Sequence, residues 1–491
     1  MREILTLQLG NLSNYTATHF WNTQESYFTY GQQEEPLVEH DVHWRAGIGA
    51  DGTETFLPRT VIYDLKGGFG SMRKINPLYD STSGGSGTAD SLWAGPSTVH
   101  KQELVKPSAY QESLDSGTRP HRLAKSAIRY WSDFSRAYFH PKSAVQLYDF
   151  ELDSTIRPFE RFEMGTELFT SLDKEHDIID RDWRPFAEEC DLMQGAQVFT
   201  TVDDAWAGFA ASYLEGLRDE YPKSCIWVWG IQSPLVGVPR ETRQLRLSNI
   251  AQSLQHAYTQ ASMVVPLAVP ESQLPPQLDL DCASPWHVSS LLAAVSESAL
   301  IPSRLKGHNG ASLADMAESL NTSGNQTLAQ AMMSVPPDAD DRVDGGDDLS
   351  FFQIGRDESR AMPRRERIFG QITCCRGPGT DQTERDEVND ARKRQIIGSS
   401  VIRKYSTTLE FPLLDSYPHI YKGILDGDST PIRTVLRTDH SVSTRIKNLR
   451  SQVTRLIALD ERETLSSGLA DIADAYQHDW SSGSDEDDDD L

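Results

Sequence analysis

Three short stretches carry residues able to do chemistry. Gly10-Asn11-Leu12 closes the alternating run Ile4 to Leu9. Asp64-Leu65-Lys66-Gly67-Gly68 closes the run Thr60 to Leu65. Asp203-Asp204, with Gly208 further on, opens the apolar stripe that begins at Trp206. Glycine turns between a strand and a helix bind phosphate, because bare backbone N–H groups and the helix dipole face the anion. Lys66 is a point charge that could meet a phosphate; it cannot hold a divalent cation. Asp203 and Asp204 act the other way. Carboxylates at a helix start cap it themselves. At ~4 Å and an effective dielectric of ~20, each would repel a phosphate by roughly 4 kcal/mol. On residue types alone, the first two turns could face an anion, whereas the third carries acids.

These loops need an alternating strand-helix frame. Strands are expected at Ile4–Leu9, Thr60–Leu65, Gln197–Val202 and Ile226–Ile231, as in a mostly parallel α/β sheet. Leu5, Leu7 and Leu9 alternating with Thr6 and Gln8 predict a half-buried first strand. Trp206, Phe209, Ala210, Tyr213, Leu214 and Leu217 form a helical stripe ended by Tyr221-Pro222. Arg122 to Phe139, with Tyr130, Trp131, Phe134, Tyr138 and Phe139, predicts a core-facing aromatic helix stopped by Pro141. Trp286–Ala299 reads as a helix. Residues 352–376 and 406–412 read as strand and loop. Val442, Ile446, Leu449, Val453 and Ile457, then Leu465, Leu469, Ile472 and Tyr476, predict two closing helices. Residues 80–91 read as a flexible loop, 335–349 as a disordered insertion, and the six acids Asp485 to Asp490 as a solvated tail.

The 491 residues carry 72 acids against 47 bases, a net charge of -25, which argues against nucleic acid as a partner. No apolar run approaches the ~20 residues of a membrane span, so any membrane association would be peripheral. Five cysteines show no metal spacing and suit a reducing compartment. No GxSxG, HExxH or Walker A run occurs.

The segments MREILTLQLGNLSNYTATHFW (1–21), PRTVIYDLKGG (58–68) and EECDLMQGAQVFTTVDDAWAGFAASYLEGLRDEYP (188–222) resemble tubulin. The shared residues include Gln8, Gly10, Asn14, Asp64, Gln194, Gly195, Arg218 and Glu220-Tyr221-Pro222. The departures are concentrated at the GTP site. Asn11 and Leu12 stand in the first phosphate loop, and Lys66 replaces a glutamate near the metal. Ser91 and Leu92 replace two asparagines. Asp203 to Phe209 occupy the glycine loop. Gly310–Asp315 is similar to the loop that acts on a neighbour's nucleotide. YWSDFSRAYFHPKSAVQL (130–147) resembles the signature of the Misato family of tubulin-related proteins, and the chain is identified as a member of it.

The resemblance implies a tubulin-like fold: a nucleotide-type α/β domain over 1–235, a mixed α+β intermediate domain over 236–427, C-terminal helices over 428–478 and an acidic tail over 479–491. It implies a degenerate nucleotide site drawn from Gly10, Asn11, Leu12, Asp64, Lys66, Gly67, Ser91, Asp203, Asp204 and Gly208, with GTP the one cofactor to consider and no catalytic or metal residue. The family is associated with partitioning of mitochondria and inheritance of mitochondrial DNA, in the cytoplasm and at the mitochondrial outer surface. The expected activity is non-enzymatic and works through protein partners. The alternatives are a divergent, filament-forming GTPase and an assembly factor acting on tubulin or chaperonin.

Overall fold

The computed structural model describes residues 2–29, 36–48, 54–72, 105–118, 123–235, 237–270, 274–307, 310–334, 349–354, 367–378, 400–424, 427–456 and 459–477. Ser91, the 80–90 loop, the Leu92–Gly95 stretch, residues 335–348 and the acidic tail lie outside them.

The first half runs β1 (Glu3–Leu9), α1 (Asn11–Ser26), the hairpin β2 (Trp44–Ile48) and β3 (Glu54–Pro58), β4 (Thr60–Lys66), α2 (Ala109–Asp115), β5 (Ala144–Glu151), α3 (Phe162–His176), α4 (Arg184–Glu188), β6 (Met193–Thr201), α5 (Trp206–Glu220), β7 (Cys225–Ile231), α6 (Arg240–Gln260) and β8 (Met263–Leu267). Six of these strands form one parallel sheet in the order β5-β4-β1-β6-β7-β8. The order reverses on either side of β1, and in open α/β sheets ligand crevices form at such a switch point, outside the carboxyl ends of the strands.

The second half runs α7 (Pro285–Ala299), α8 (Leu313–Leu320), β9 (Gln330–Ser334), β10 (Leu349–Ser350), β11 (Ile368–Arg376), β12 (Val401–Thr407), β13 (Phe411–Pro412), β14 (Ser429–Thr430), β15 (Ile432–Asp439), α9 (Ser441–Val453) and α10 (Leu459–Ala475). A mixed sheet has the order β10-β9-β15-β11-β12. The parallel sheet therefore extends past residue 235, through β8. The second sheet extends past 427, taking in β15. The apolar run Met263–Leu267 passes unnoticed in the sequence because it is only five residues long.

Both faces of the parallel sheet are covered. Ile4, Ile62, Phe199, Trp227 and Trp229 pack into one core with α1 and α7. Leu5, Leu7, Leu9, Val61 and Val198 pack into another with α3, α5, α6, α9 and α10. The first strand is consequently buried throughout, not half-buried as its alternation suggests. Thr6 and Gln8 are inside as well, and Gln8 Nε2 donates to Thr60 Oγ1 at 2.8 Å.

The aromatic segment is the other correction. Lys125–Ala127 and Trp131–Phe134 are separate 3-10 turns, with extended backbone at Tyr130 and Ser135. Asp133 breaks the helix. Its carboxylate accepts from the backbone N–H of Arg129 (2.8 Å) and Tyr130 (3.0 Å) and from the Arg129 guanidinium, a local network that competes with helical bonding. Trp131, Phe134 and Phe139 still reach the core, whereas Tyr138 is 50% exposed.

α7 ties the two halves together. It packs along α1 and also against β11 and β15. Near its end Glu297, fully buried, is paired with Arg304 and with Arg376 of β11, and accepts from Tyr27 Oη at 2.9 Å.

Candidate functional site: a nucleotide-type cleft filled from within

The cleft lies where β1, β4 and β6 end. Gly10 starts α1 with φ 97°, a left-handed value that favours glycine. A Cβ at Gly10 would stand 2.7 Å from Thr201 Oγ1 and 2.8 Å from Trp206 Cδ1. The indole of Trp206 thus lies directly on the first loop, where a phosphate would have to sit. It is 3% exposed, edge-on to Phe159 (5.5 Å) and to Phe209 (5.5 Å).

The start of α5 has no bare donors to offer. Trp206 N donates to Asp204 Oδ1 at 2.9 Å, Ala207 N to Asp204 O, and Gly208 N and Phe209 N to Ala205 O. Thr201 Oγ1 also donates to Asp204 Oδ1, at 2.8 Å. The Asp204 carboxyl is pushed up to about 7, first by burial and then by its neighbour Asp203. Asp204 alone caps the helix, and the expected pair of caps is corrected. Asp203 turns away because better donors lie across the sheet end. Its Oδ2 accepts from Ser233 N at 3.0 Å and is 3.7 Å from Arg246 Nε. Burial raises its carboxyl too, against the opposing pull of Arg246.

Gly208 belongs to a different task. A Cβ there would stand 1.9 Å from Phe162 O, and one at Gly165 would stand 1.8 Å from Ala205 O. The two glycines let α3 and α5 cross in backbone contact. Gly208 faces α3, not the cleft.

Asp64 sits at the centre of the second loop, fully buried. Its Oδ2 accepts from Asn14 Nδ2 (3.0 Å) and from Trp131 Nε1 (2.9 Å); its Oδ1 accepts from Leu65 N (2.8 Å). Asn11 also bonds it. Burial outweighs these donors and lifts the carboxyl to about 6. A Cβ on Gly68 would lie 2.4 Å from the Asp64 carboxyl, so the turn can pass only as glycine. Gly67, at φ 91°, makes the turn itself. Lys66 points away, its Nζ 3.7 Å from Glu151 Oε1 across the register shift between β4 and β5. Leu12 is half-buried against the α1 core.

The structure therefore brings Gly10, Asn11, Asp64 and Asp204 around one point, and removes Lys66, Asp203 and Gly208 from it. Asp315 completes an ordinary capping box with the N-cap Ser312: its Oδ2 accepts from Ser312 N and Ser312 Oγ. Sequence reasoning missed three side chains that matter here. The resemblance places Trp206 in the replaced glycine loop, but nothing in the sequence sets its indole against Gly10. Trp131 was assigned to a helix face. Asn249 carried no signal at all: its side chain bonds Glu160 O (2.7 Å), Asp203 O (3.1 Å) and Phe162 N, holding the loops after β5 and β6 together.

On the α1 side the signature segment completes the filling. The Phe134 ring is 4.6 Å from that of His19, 5.7 Å from Tyr15 and 6.4 Å from Trp286. Asn22 Nδ2 donates to Phe134 O at 2.9 Å, and Arg136 N donates to Asn22 Oδ1 at 2.8 Å. Among the described residues, no group of three or more His, Cys, Asp or Glu is placed to hold a metal, and no helix is long and apolar enough to cross a membrane.

A six-stranded parallel sheet with this cleft, a bridging helix and a second mixed sheet define a tubulin-like protein. The description "Tubulin domain" matches residues 120–305, and "Misato Segment II tubulin-like domain" matches residues 2–116. Over its whole length the chain is 56% identical to Protein DML1 of Gibberella zeae, 46% to Protein dml-1 of Neurospora crassa and 42% to Protein dml1 of Aspergillus niger, each also covered in full. The chain belongs to the Misato family, the DML1 proteins.

GTP is the ligand the tubulin-like fold implies, and the residues present do not fit it. Expelling Trp206 would expose an aromatic that buries some 150–250 Å², at roughly 4–6 kcal/mol. Loss of that size lowers affinity by about three powers of ten or more. The α5 amides are already bonded, and Asp204 stands among them.

Proposed function

We propose that this chain is a non-enzymatic, tubulin-related factor that acts through protein partners in the partitioning of mitochondria and the inheritance of mitochondrial DNA, in the cytoplasm and at the mitochondrial outer surface. Membership of the Misato family supports the cellular role. One observation carries the non-enzymatic part: Trp206 lies on Gly10 while every N–H at the start of α5 is bonded within the chain. The tubulin-like scaffold is kept as a shape for partners.

Calorimetry with GTP tests the site. The parent is expected to show no binding at millimolar nucleotide, and an Asp204→Gly/Trp206→Gly variant to gain it. Micromolar binding by the parent would overturn the reading and favour a nucleotide-driven, filament-forming GTPase. For the cellular role, cells lacking the protein should show altered mitochondrial distribution and fewer mitochondrial genomes. Those changes should persist after microtubules are dissolved. If they vanish with the microtubules, and tubulin or chaperonin subunits co-purify with the protein, a tubulin-assembly role replaces the mitochondrial one.

A further inference from the structure

At the end of the parallel sheet opposite the cleft, the starts of β7 and β8, the ends of α5 and α6, α8 and the loop before β9 line an open cavity of about 670 Å³. Its wall includes Arg218, Lys223, Tyr258, Ala314, Glu318 and Thr327. Two cations there lack a carboxylate partner among the described residues. The Arg218 guanidinium is held by carbonyls only, those of Gln260 (2.6 Å), Pro222 (3.0 Å) and Ser224 (3.0 Å). Lys223 is exposed. Against them the wall sets one acid, Glu318.

The last described helix ends beside this cavity. Gln326 Nε2 donates to Ala475 O at 3.3 Å; Leu328 N donates to Tyr476 Oη at 2.7 Å, and Tyr476 Oη donates to Leu328 O at 2.8 Å. Gln326 and Leu328 flank Thr327 of the wall, and Tyr258 of the wall donates to Asn325 O. From Gln477 the chain continues for fourteen residues, HDWSSGSDEDDDDL, with seven acids, no lysine or arginine, and one aromatic side chain besides His478, Trp480.

We propose that this cavity is the seat of the chain's own C-terminal segment, residues 478–491, with Trp480 in the cavity and the acids over Arg218 and Lys223. Three arguments converge. Trp480 is three residues beyond Gln477, within about 10 Å of it, and the whole segment can reach up to about 45 Å. The cavity is large enough for an indole. The uncompensated cations meet the most acidic stretch of the chain, and opposite charges at short range favour contact.

The test is fluorine NMR on the full chain labelled with 5-fluorotryptophan, the Trp480 resonance being identified by its loss in Trp480→Phe. It should differ from that of a labelled synthetic 478–491 peptide free in solution. Lys223→Glu should lower the docked-to-free ratio about fivefold. Ala314→Phe, which puts bulk on the wall from an exposed position, should move the resonance to the free-peptide value. A parent resonance that coincides with the free peptide overturns the proposal. So does a shift that neither substitution changes. A shift that reverts on dilution assigns the seat to a second copy's tail and overturns the intramolecular contact.

Discussion

Trp131 and Asp64 lie 67 positions apart in the chain and meet inside the cleft, the indole Nε1 donating to the carboxylate at 2.9 Å with both side chains fully buried. The signature segment is thereby fastened to the loop that follows β4. Trp131→Phe keeps the ring volume and deletes the donor. A hydrogen bond to a charged group contributes about 1.5–3 kcal/mol. Urea denaturation should show a loss in that range with an unchanged m value. No loss would mean that the contact is incidental to the fold.

The same carboxylate makes stability depend on pH. Asp64 titrates near 6 when folded, against ~3.9 in an unfolded chain. An acid raised in this way contributes stability that is fully present below about pH 4 and is lost as pH rises through about 6. Relative to Asp64→Asn, the parent should lose up to about 3 kcal/mol between pH 4 and 7. Asp204, raised to about 7, acts in the same sense over a window reaching one unit higher. Parallel pH-stability curves for the parent and Asp64→Asn would refute the shift.

The crossing of α3 and α5 tolerates no side chain at Gly165 or Gly208. Gly165→Ala places a methyl 1.8 Å from Ala205 O, and the helices must separate. Overpacking of this kind costs about 1–3 kcal/mol or more. The melting temperature should fall, and α5 should lose protection from hydrogen exchange before β1 does.

Glu297 is the carboxylate against which, among the described residues, both Arg304 and Arg376 are paired. Its carboxyl is held below the usual range: burial raises it, but Arg376 and then Arg304 outweigh the burial. Glu297→Gln leaves two buried guanidinium groups uncompensated. Breaking a buried pair in this way costs about 3–5 kcal/mol. Because Arg376 lies on β11 and Tyr27 follows α1, the two halves should loosen together, seen as faster proteolysis between them at native pH.

The sequence made some elements plain and hid others for physical reasons. α5, α7, α9 and α10 were legible because their buried faces are apolar at helical spacing. α1 is just as buried, yet Asn14, Thr16, Thr18, His19, Asn22 and Gln24 lie inside beside Tyr15, Ala17, Phe20 and Trp21. Asn14 bonds Asp64, Thr16 and Thr18 bond the carbonyls of Leu12 and Asn14, His19 bonds the Trp286 carbonyl, Asn22 bonds Phe134 O and Ser416, and Gln24 bonds Glu297. Pattern rules see no stripe in such a helix. α6 escaped for a similar reason, its core residues being mixed with Asn249 and Ser253. At the cleft the positions of Gly10, Asp64 and Asp204 come with the resemblance to tubulin. The rotation of Asp203 toward Ser233 and the seat of Trp206 could not, because both depend on contacts made after the sheet has closed.

Trp206 has a consequence for timing. A nucleotide comes and goes, so a cleft that holds one reports on supply and on the age of the bound molecule. An indole carried by the chain never leaves and is never spent. On the proposed reading, the conformation around Gly10 is set once, at folding, with no bound nucleotide to change it. A signal to this protein then enters at some place other than this cleft.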